Sequence, residues 1–210
     1  MIIAIDGTLA SGKGTIATRL AAHYALPHMD TGRLYRATGV AAIQAGVALD
    51  DADGLAELAS RLDPGIYNEA ELRTAEAGIA ASKVAALLPV RAALLELQRA
   101  FAHQATGAVL DGRDIGTIVC PDADVKLWVD ADVETRATRR HRELATAGDT
   151  ITLDEVLRQL EERDSRDRDR KDAPMKMAAD AVLIDTTHLT IDAAVEKARA
   201  VVDAAKARQE

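Results

Sequence analysis

The stretch Met1–Thr15 reads MIIAIDGTLASGKGT, and its reading decides the fold. Ile2 to Ile5 form a short apolar run that meets Asp6-Gly7, the pattern of a buried parallel strand ending in a turn. Gly7-Thr8-Leu9-Ala10-Ser11-Gly12-Lys13 then places two glycines and a lysine at Walker A spacing. A helix follows from about Lys13, because Ile16, Leu20 and Tyr24 recur at helical intervals and Pro27 lies just past its end near Ala25. Glycines in such a loop let several backbone N–H groups turn toward phosphate oxygens, and the helix N-terminus adds partial positive charge. Lys13 is expected to reach the β- and γ-phosphates of a nucleotide. A ligand-free glycine turn would show the same spacing, but the strand-to-helix context favours phosphate binding. Gly14 separates Lys13 from Thr15, so either Thr15 or a water takes part of the metal role.

Working outward, Val109-Leu110 runs into Asp111, Val125–Val129 into Asp130, and Ala181–Ile184 into Asp185. Helical patterns fall around 33–46, 50–62, 76–87, 90–105, 132–147, 152–170 and 190–208. This alternation predicts a doubly wound α/β domain, a parallel sheet with helices on both faces. In such sheets ligands bind at the carboxyl ends of the strands, where Asp6, Asp111 and Asp130 sit. A formal charge of −8 argues against nucleic-acid and membrane partners, and 2% aromatic content leaves few stacking platforms for single strands. Cys120 is the single cysteine, so no intrachain disulfide forms. The N-terminal apolar run is too short for a signal segment, and a cytoplasmic protein acting as a monomer is expected.

Asp111, ending a second buried strand, has the position of a Walker B-like acid that would hold Mg²⁺, in part through water; a strand-end turn aspartate is the alternative. Arginines mark three further segments: Asp30-Thr31-Gly32 followed by Tyr35-Arg36; Asp111-Gly112-Arg113-Asp114; and Arg163 to Arg170. Arginine forks suit phosphate oxygens, and phosphoryl transfer needs charge neutralisation and alignment more than covalent help. The run Glu161–Asp172 reads either as a solvated helix face laced with ion pairs or as a mobile lid whose arginines exchange aspartates for ligand phosphates, and the lid is favoured here.

The segments ASGKGT, DTGRLYR, ASKVAALLPVR, DGRDIGT and RDSRDRDR occur in the order and approximate spacing of the bacterial cytidylate kinases, which the chain resembles over nearly its whole length. The resemblance implies a P-loop kinase with a five-stranded parallel core, ATP and Mg²⁺ as co-substrates, and CMP or dCMP as acceptor. It divides residues 1–210 into a core (1–30, 88–147 and 172–210), a monophosphate-binding region (31–87) and a lid (148–171). Gly7, Thr8, Leu9, Ala10, Ser11, Gly12, Lys13, Gly14 and Thr15 would hold ATP, with Thr15 and Asp111 at the metal. Arg36, Arg113 and Arg170 would grip the acceptor phosphate; Ser82, Arg163 and Asp167 the sugar; Thr31, Arg91 and Asp114 the pyrimidine, with Asp30 also counted among the CMP-binding residues. Lys13, Arg113, Arg163, Arg166, Arg168 and Arg170 would act on the transferring group. A carboxylate at Asp114 can accept from the N4 amine of cytosine, whereas a uracil carbonyl there costs about 1–3 kcal/mol. No general base is needed, so His23, His28, His103, His141 and His188 are assigned to surface or packing.

The chain departs from the family pattern in two places. Thr8 stands where the family commonly has proline, which leaves the loop less restricted. Residues 63–82 are short and lack the alternating strands of the family's insert, with Pro64-Gly65 and Asn68 reading as loop. A shikimate-type metabolite kinase is the alternative enzyme. A nucleotide-dependent switch is disfavoured because no Asn-Lys-x-Asp guanine motif occurs, and an interaction module with a decayed site because Lys13, Asp111 and the arginines are all present.

Overall fold

The computed structural model describes residues 1–208. Its strands are β1 (Ile2–Gly7), β2 (His28–Asp30), β3 (Ala108–Gly112), β4 (Val125–Asp130) and β5 (Val182–Asp185). Its helices are α1 (Lys13–Tyr24), α2 (Thr31–Ala45), α3 (Ala52–Ser60), α4 (Glu69–Leu72), α5 (Ala75–Val84), α6 (Leu88–Ala102), α7 (Val133–Thr146), α8 (Leu153–Arg168) and α9 (Ile191–Lys206). The chain forms two compact units, one from Met1–Met29 with the segment from Phe101 onward, the other from Asp30–Ala100.

Among the described residues, five strands make one sheet in the order β2-β3-β1-β4-β5. β1 pairs in parallel with β3 and with β4, and β4 with β5. Successive residues of β1 and β3 are buried on both faces, as a parallel sheet covered on both sides requires. On one face Ile3, Ile5, Val109 and Leu127 pack against Ile16 and Leu20 of α1 and against Val195, Ala198 and Val202 of α9. From β1 the chain runs to β2 and then β3 on one side, and then crosses to β4 on the other, so the crevice beyond β1 is a topological switch point. The predicted doubly wound α/β architecture is the one observed.

β2 has no counterpart in the predicted elements, because its three residues, His-Met-Asp, are too few and too polar to show a strand pattern. A single π-helical turn over Ile115–Val119 was also not anticipated.

In the second unit, residues 63–82 form no strand, in keeping with the short insert, but they are not plain loop either. Pro64–Ile66 make a 3-10 turn, and Asn68 caps α4 reciprocally with Glu71 at 2.9 Å in each direction. Tyr67 and Leu72 bury against Ala37 of α2. The helix expected over 152–170 is α8, capped by Thr152, whose hydroxyl accepts from Glu155 N–H at 3.3 Å.

Candidate active site

Gly7 ends β1 with φ of +150°, and a Cβ there would stand 1.9 Å from the Val129 carbonyl oxygen. Only glycine lets the chain turn off β1 this close to β4. Ala10 and Gly12 then take left-handed angles, φ 61° and 92°, and the loop closes on itself through Ser11 Oγ donating to Thr8 O at 2.9 Å. Lys13 Nζ donates to Thr8 O at 3.3 Å, which lays the ammonium across the mouth of the loop. Thr8 Oγ1 donates to Asp130 Oδ1 at 2.6 Å. The greater freedom expected from losing a proline is thus countered by a side-chain tether to the end of β4.

Two further contacts brace the loop from outside. Thr186 Oγ1 donates to Ser11 O at 2.8 Å, and Arg136 reaches Leu9 O at 3.3 Å while also donating to Asp164 at 2.7 Å. Neither Arg136 nor Thr186 was singled out from the sequence, since one lies in a charged helical run and the other follows a short edge strand.

Asp111 is buried at the end of β3, and a Cβ on Gly14 would stand 3.8 Å from its Oδ2. Its other oxygen lies 2.7 Å from His28 Nε2. His28, assigned above to surface or packing, therefore fixes the acid that faces the phosphate loop.

Arg113 follows on the same strand end and donates through Nε to Asp167 Oδ2 at 3.2 Å. Arg170 lies 3.3 Å and Arg163 3.8 Å from the same carboxylate. Burial works to raise the Asp167 pKa, but the charges of Arg113, Arg163 and Arg170 outweigh it and hold the carboxyl below its ordinary range. Positions 163, 167 and 170 share one face of α8 and its extension, whereas the Arg168 side chain is 57% exposed and only 3.6 Å from Asp164. Arg166 is half-buried. The four arginines of the run 163–170 are thus of two kinds.

Breaking this cluster gives a first expected outcome. Asp167→Asn should lower unfolding stability at pH 7 by about 3 kcal/mol, because three guanidinium groups lose their shared carboxylate. Since the folded-state pKa is depressed, the contribution exists above the unfolded value and is lost as pH falls through the folded one. Urea midpoints of wild type and variant should therefore converge below about pH 4.

In the second unit Asp30 caps α2, accepting from Arg33 N–H at 3.2 Å, and binds Arg36 NH2 at 2.5 Å. Thr31 and Ser82 are buried. Arg91 is 8% exposed, with its guanidinium 5.6 Å above the Tyr35 ring. Each unit thus groups its own share of the predicted residues: the phosphate loop, Asp111, Arg113, Asp114 and the lid residues in one, Asp30, Thr31, Arg36, Ser82 and Arg91 in the other.

The family model described as Cytidylate kinase matches residues 3–204. The chain belongs to the cytidylate kinase family. Among similar relatives, a cytidylate kinase of Bradyrhizobium sp. is 52% identical over 207 residues, covering 99% of this chain and 98% of the relative. One of Xanthobacter autotrophicus is 54% identical over 207 residues, covering 99% of each. Cytidylate kinases of Methylocella silvestris and Caulobacter vibrioides are 51% and 49% identical over 98% and 99% of this chain. A crystal structure of an uncharacterized protein from Eubacterium ventriosum superposes with a TM-score of 0.54 at 15% identity, covering 97% of this chain and 98% of that one, and shares the fold. Cytidylate kinase membership makes the chain an ATP-dependent phosphotransferase and disfavours the shikimate-type alternative. Among the described residues, no single helix is long and apolar enough to cross a membrane.

Proposed function

We propose that this chain transfers the γ-phosphoryl group of ATP to CMP or dCMP, giving ADP and CDP or dCDP. The observation that carries the reading is the pairing, at adjacent strand ends, of a glycine loop capped by Lys13 with a buried carboxylate ringed by Arg113, Arg163 and Arg170. One arrangement suits a triphosphate and the other a monophosphate.

The loop amides and Lys13 take the β- and γ-phosphates of ATP. Arg113 and Arg170 align the acceptor phosphate, while Arg163, Arg166 and Arg168 shield the transferring group as the lid closes. The acceptor oxygen is already ionised at neutral pH, so no side chain needs to remove a proton. The Asp111 carboxylate beside Gly14, with the Thr15 hydroxyl, is an oxygen set that suits Mg²⁺, which retains waters and phosphate oxygens and needs no all-protein cage. When bound there, Mg²⁺ would offset charge on the bridging phosphate oxygens.

Asp114 is 5% exposed and is assigned to the N4 amine of cytosine. Asp114→Asn should shrink the ratio of kcat/KM for CMP over UMP by about tenfold, because an amide can pair with either ring. An unchanged ratio would remove Asp114 from the base site. The same reading has the enzyme act as a monomer in the cytoplasm without nucleic-acid or membrane partners, and its charge of −8 supports that.

A coupled ADP-release assay with ATP and Mg²⁺ against CMP, dCMP, UMP, AMP and shikimate tests the proposal. Turnover is expected with CMP and dCMP; turnover with AMP or shikimate alone would overturn it.

A further inference from the structure

Asp6 contacts neither nucleotide in the reading above, yet it lies between the two phosphate-handling loops. It is 3% exposed. Its Oδ1 accepts the N–H of Ile115 at 2.7 Å and its Oδ2 the N–H of Gly116 at 2.8 Å. Those amides open the π-helical turn that follows directly on Arg113-Asp114, and Asp114, the residue placed to cap that turn, makes no side-chain cap bond to it. Asp6 supplies the cap from the neighbouring strand. On its other side Asp6 leads into Gly7, which the approach to Val129 O fixes in place. A single carboxylate therefore joins the start of the phosphate loop to the segment carrying the acceptor arginine.

We infer that Asp6 is a positioning residue for the acceptor nucleotide: its ionised carboxylate holds the Arg113-Asp114 segment in register, so that affinity for CMP, and not for ATP, depends on its charge. The inference rests on the assignment of Arg113 and Asp114 to CMP. An ionised carboxylate can accept from both amides at once. A protonated one places a hydroxyl opposite one N–H and loses that bond.

Burial pushes the Asp6 pKa up to about 7 against the pull of the Gly116 and Ile115 N–H groups, with Asp114 raising it further and Arg113 lowering it. Its partners across the sheet, Gly112 and Trp128, are uncharged. Lys126 of β4 brings its aliphatic stem toward Gly116 but donates through its ammonium to Pro121 O at 2.7 Å and to Asp180 at 3.1 Å. The turn should therefore loosen as pH falls through about 7. Stability runs the other way: with a raised folded pKa, the contribution of Asp6 is full below its unfolded value and is lost as pH rises through the folded one.

The test combines two readouts. In wild-type protein without nucleotide, the amide resonances of Ile115 and Gly116 should titrate together between pH 5 and 9 with one midpoint. Asp6→Asn, close to isosteric, should raise KM for CMP on the order of tenfold at pH 8 while changing KM for ATP less than about twofold. The rise in wild-type KM for CMP between pH 8 and pH 6 should exceed that of the variant, which retains only the titration of the CMP phosphate itself. Amide resonances that stay flat, or equal increases in both KM values, would overturn the inference. The resonance titration decides alone if the variant does not fold. Failure of the wild type to turn over CMP would instead sink the functional proposal and leave the titration standing.

Discussion

Lys13→Met is expected to lower kcat for CMP phosphorylation by about 10³, with a smaller rise in KM for ATP. The ammonium donates to Thr8 O at 3.3 Å, and in the function proposed above it offsets the charge that builds on the β-phosphate oxygen as the γ-phosphoryl group leaves. A methionine keeps the stem that packs against the loop and removes only the charge, so the loss falls on the transition state more than on ground-state binding. Single-turnover rates with saturating ATP and CMP would measure it, and circular dichroism would establish that the variant is folded. A loss of less than about tenfold would mean that the loop amides alone carry the charge.

Gly7→Ala should have the largest effect on stability, more than about 4 kcal/mol. The added methyl would sit 1.9 Å from Val129 O and 2.8 Å from Val129 C, both backbone atoms of β4, with φ at +150°. Backbone in the centre of a sheet cannot withdraw as a flexible side chain does, so β1 or β4 must shift and the parallel register between them is lost. Denaturant unfolding would show a lowered midpoint or no cooperative transition. Gly12→Ala is the useful contrast, because nothing lies within 4 Å of a Cβ there and only its left-handed φ of 92° opposes the change. Its cost should be about 1 kcal/mol.

What could be read from the sequence was whatever chemistry is local. The phosphate loop announces itself because strand end, glycine turn and helix start are contiguous. Asp111 and Arg113 were legible because a strand end is where a parallel sheet presents its ligand residues. The roles of His28, Arg136 and Thr186, and the partners of Asp6, whose strand-end place could be read, were not, because each acts on a partner at least 80 residues away, brought near by the strand order β2-β3-β1-β4-β5. The arginine run was ambiguous for another reason. Alternation of Arg and Asp along residues 163–170 conceals which positions face inward, and only the fold separates Arg170, just past the end of α8 with its side chain 5% exposed, from Arg168 at 57%.

Around Asp167 the guanidinium groups outnumber the carboxylate by two, an excess close to the charge of a phosphate dianion. As the acceptor dock proposed above, this cluster would act as an ion-exchange site in miniature, and inorganic phosphate or sulfate should compete for it. Because the Debye length shortens to about 3 Å at 1 M salt, apparent CMP affinity should decline with ionic strength more steeply than ATP affinity, whose loop recognises its anion largely through uncharged amides.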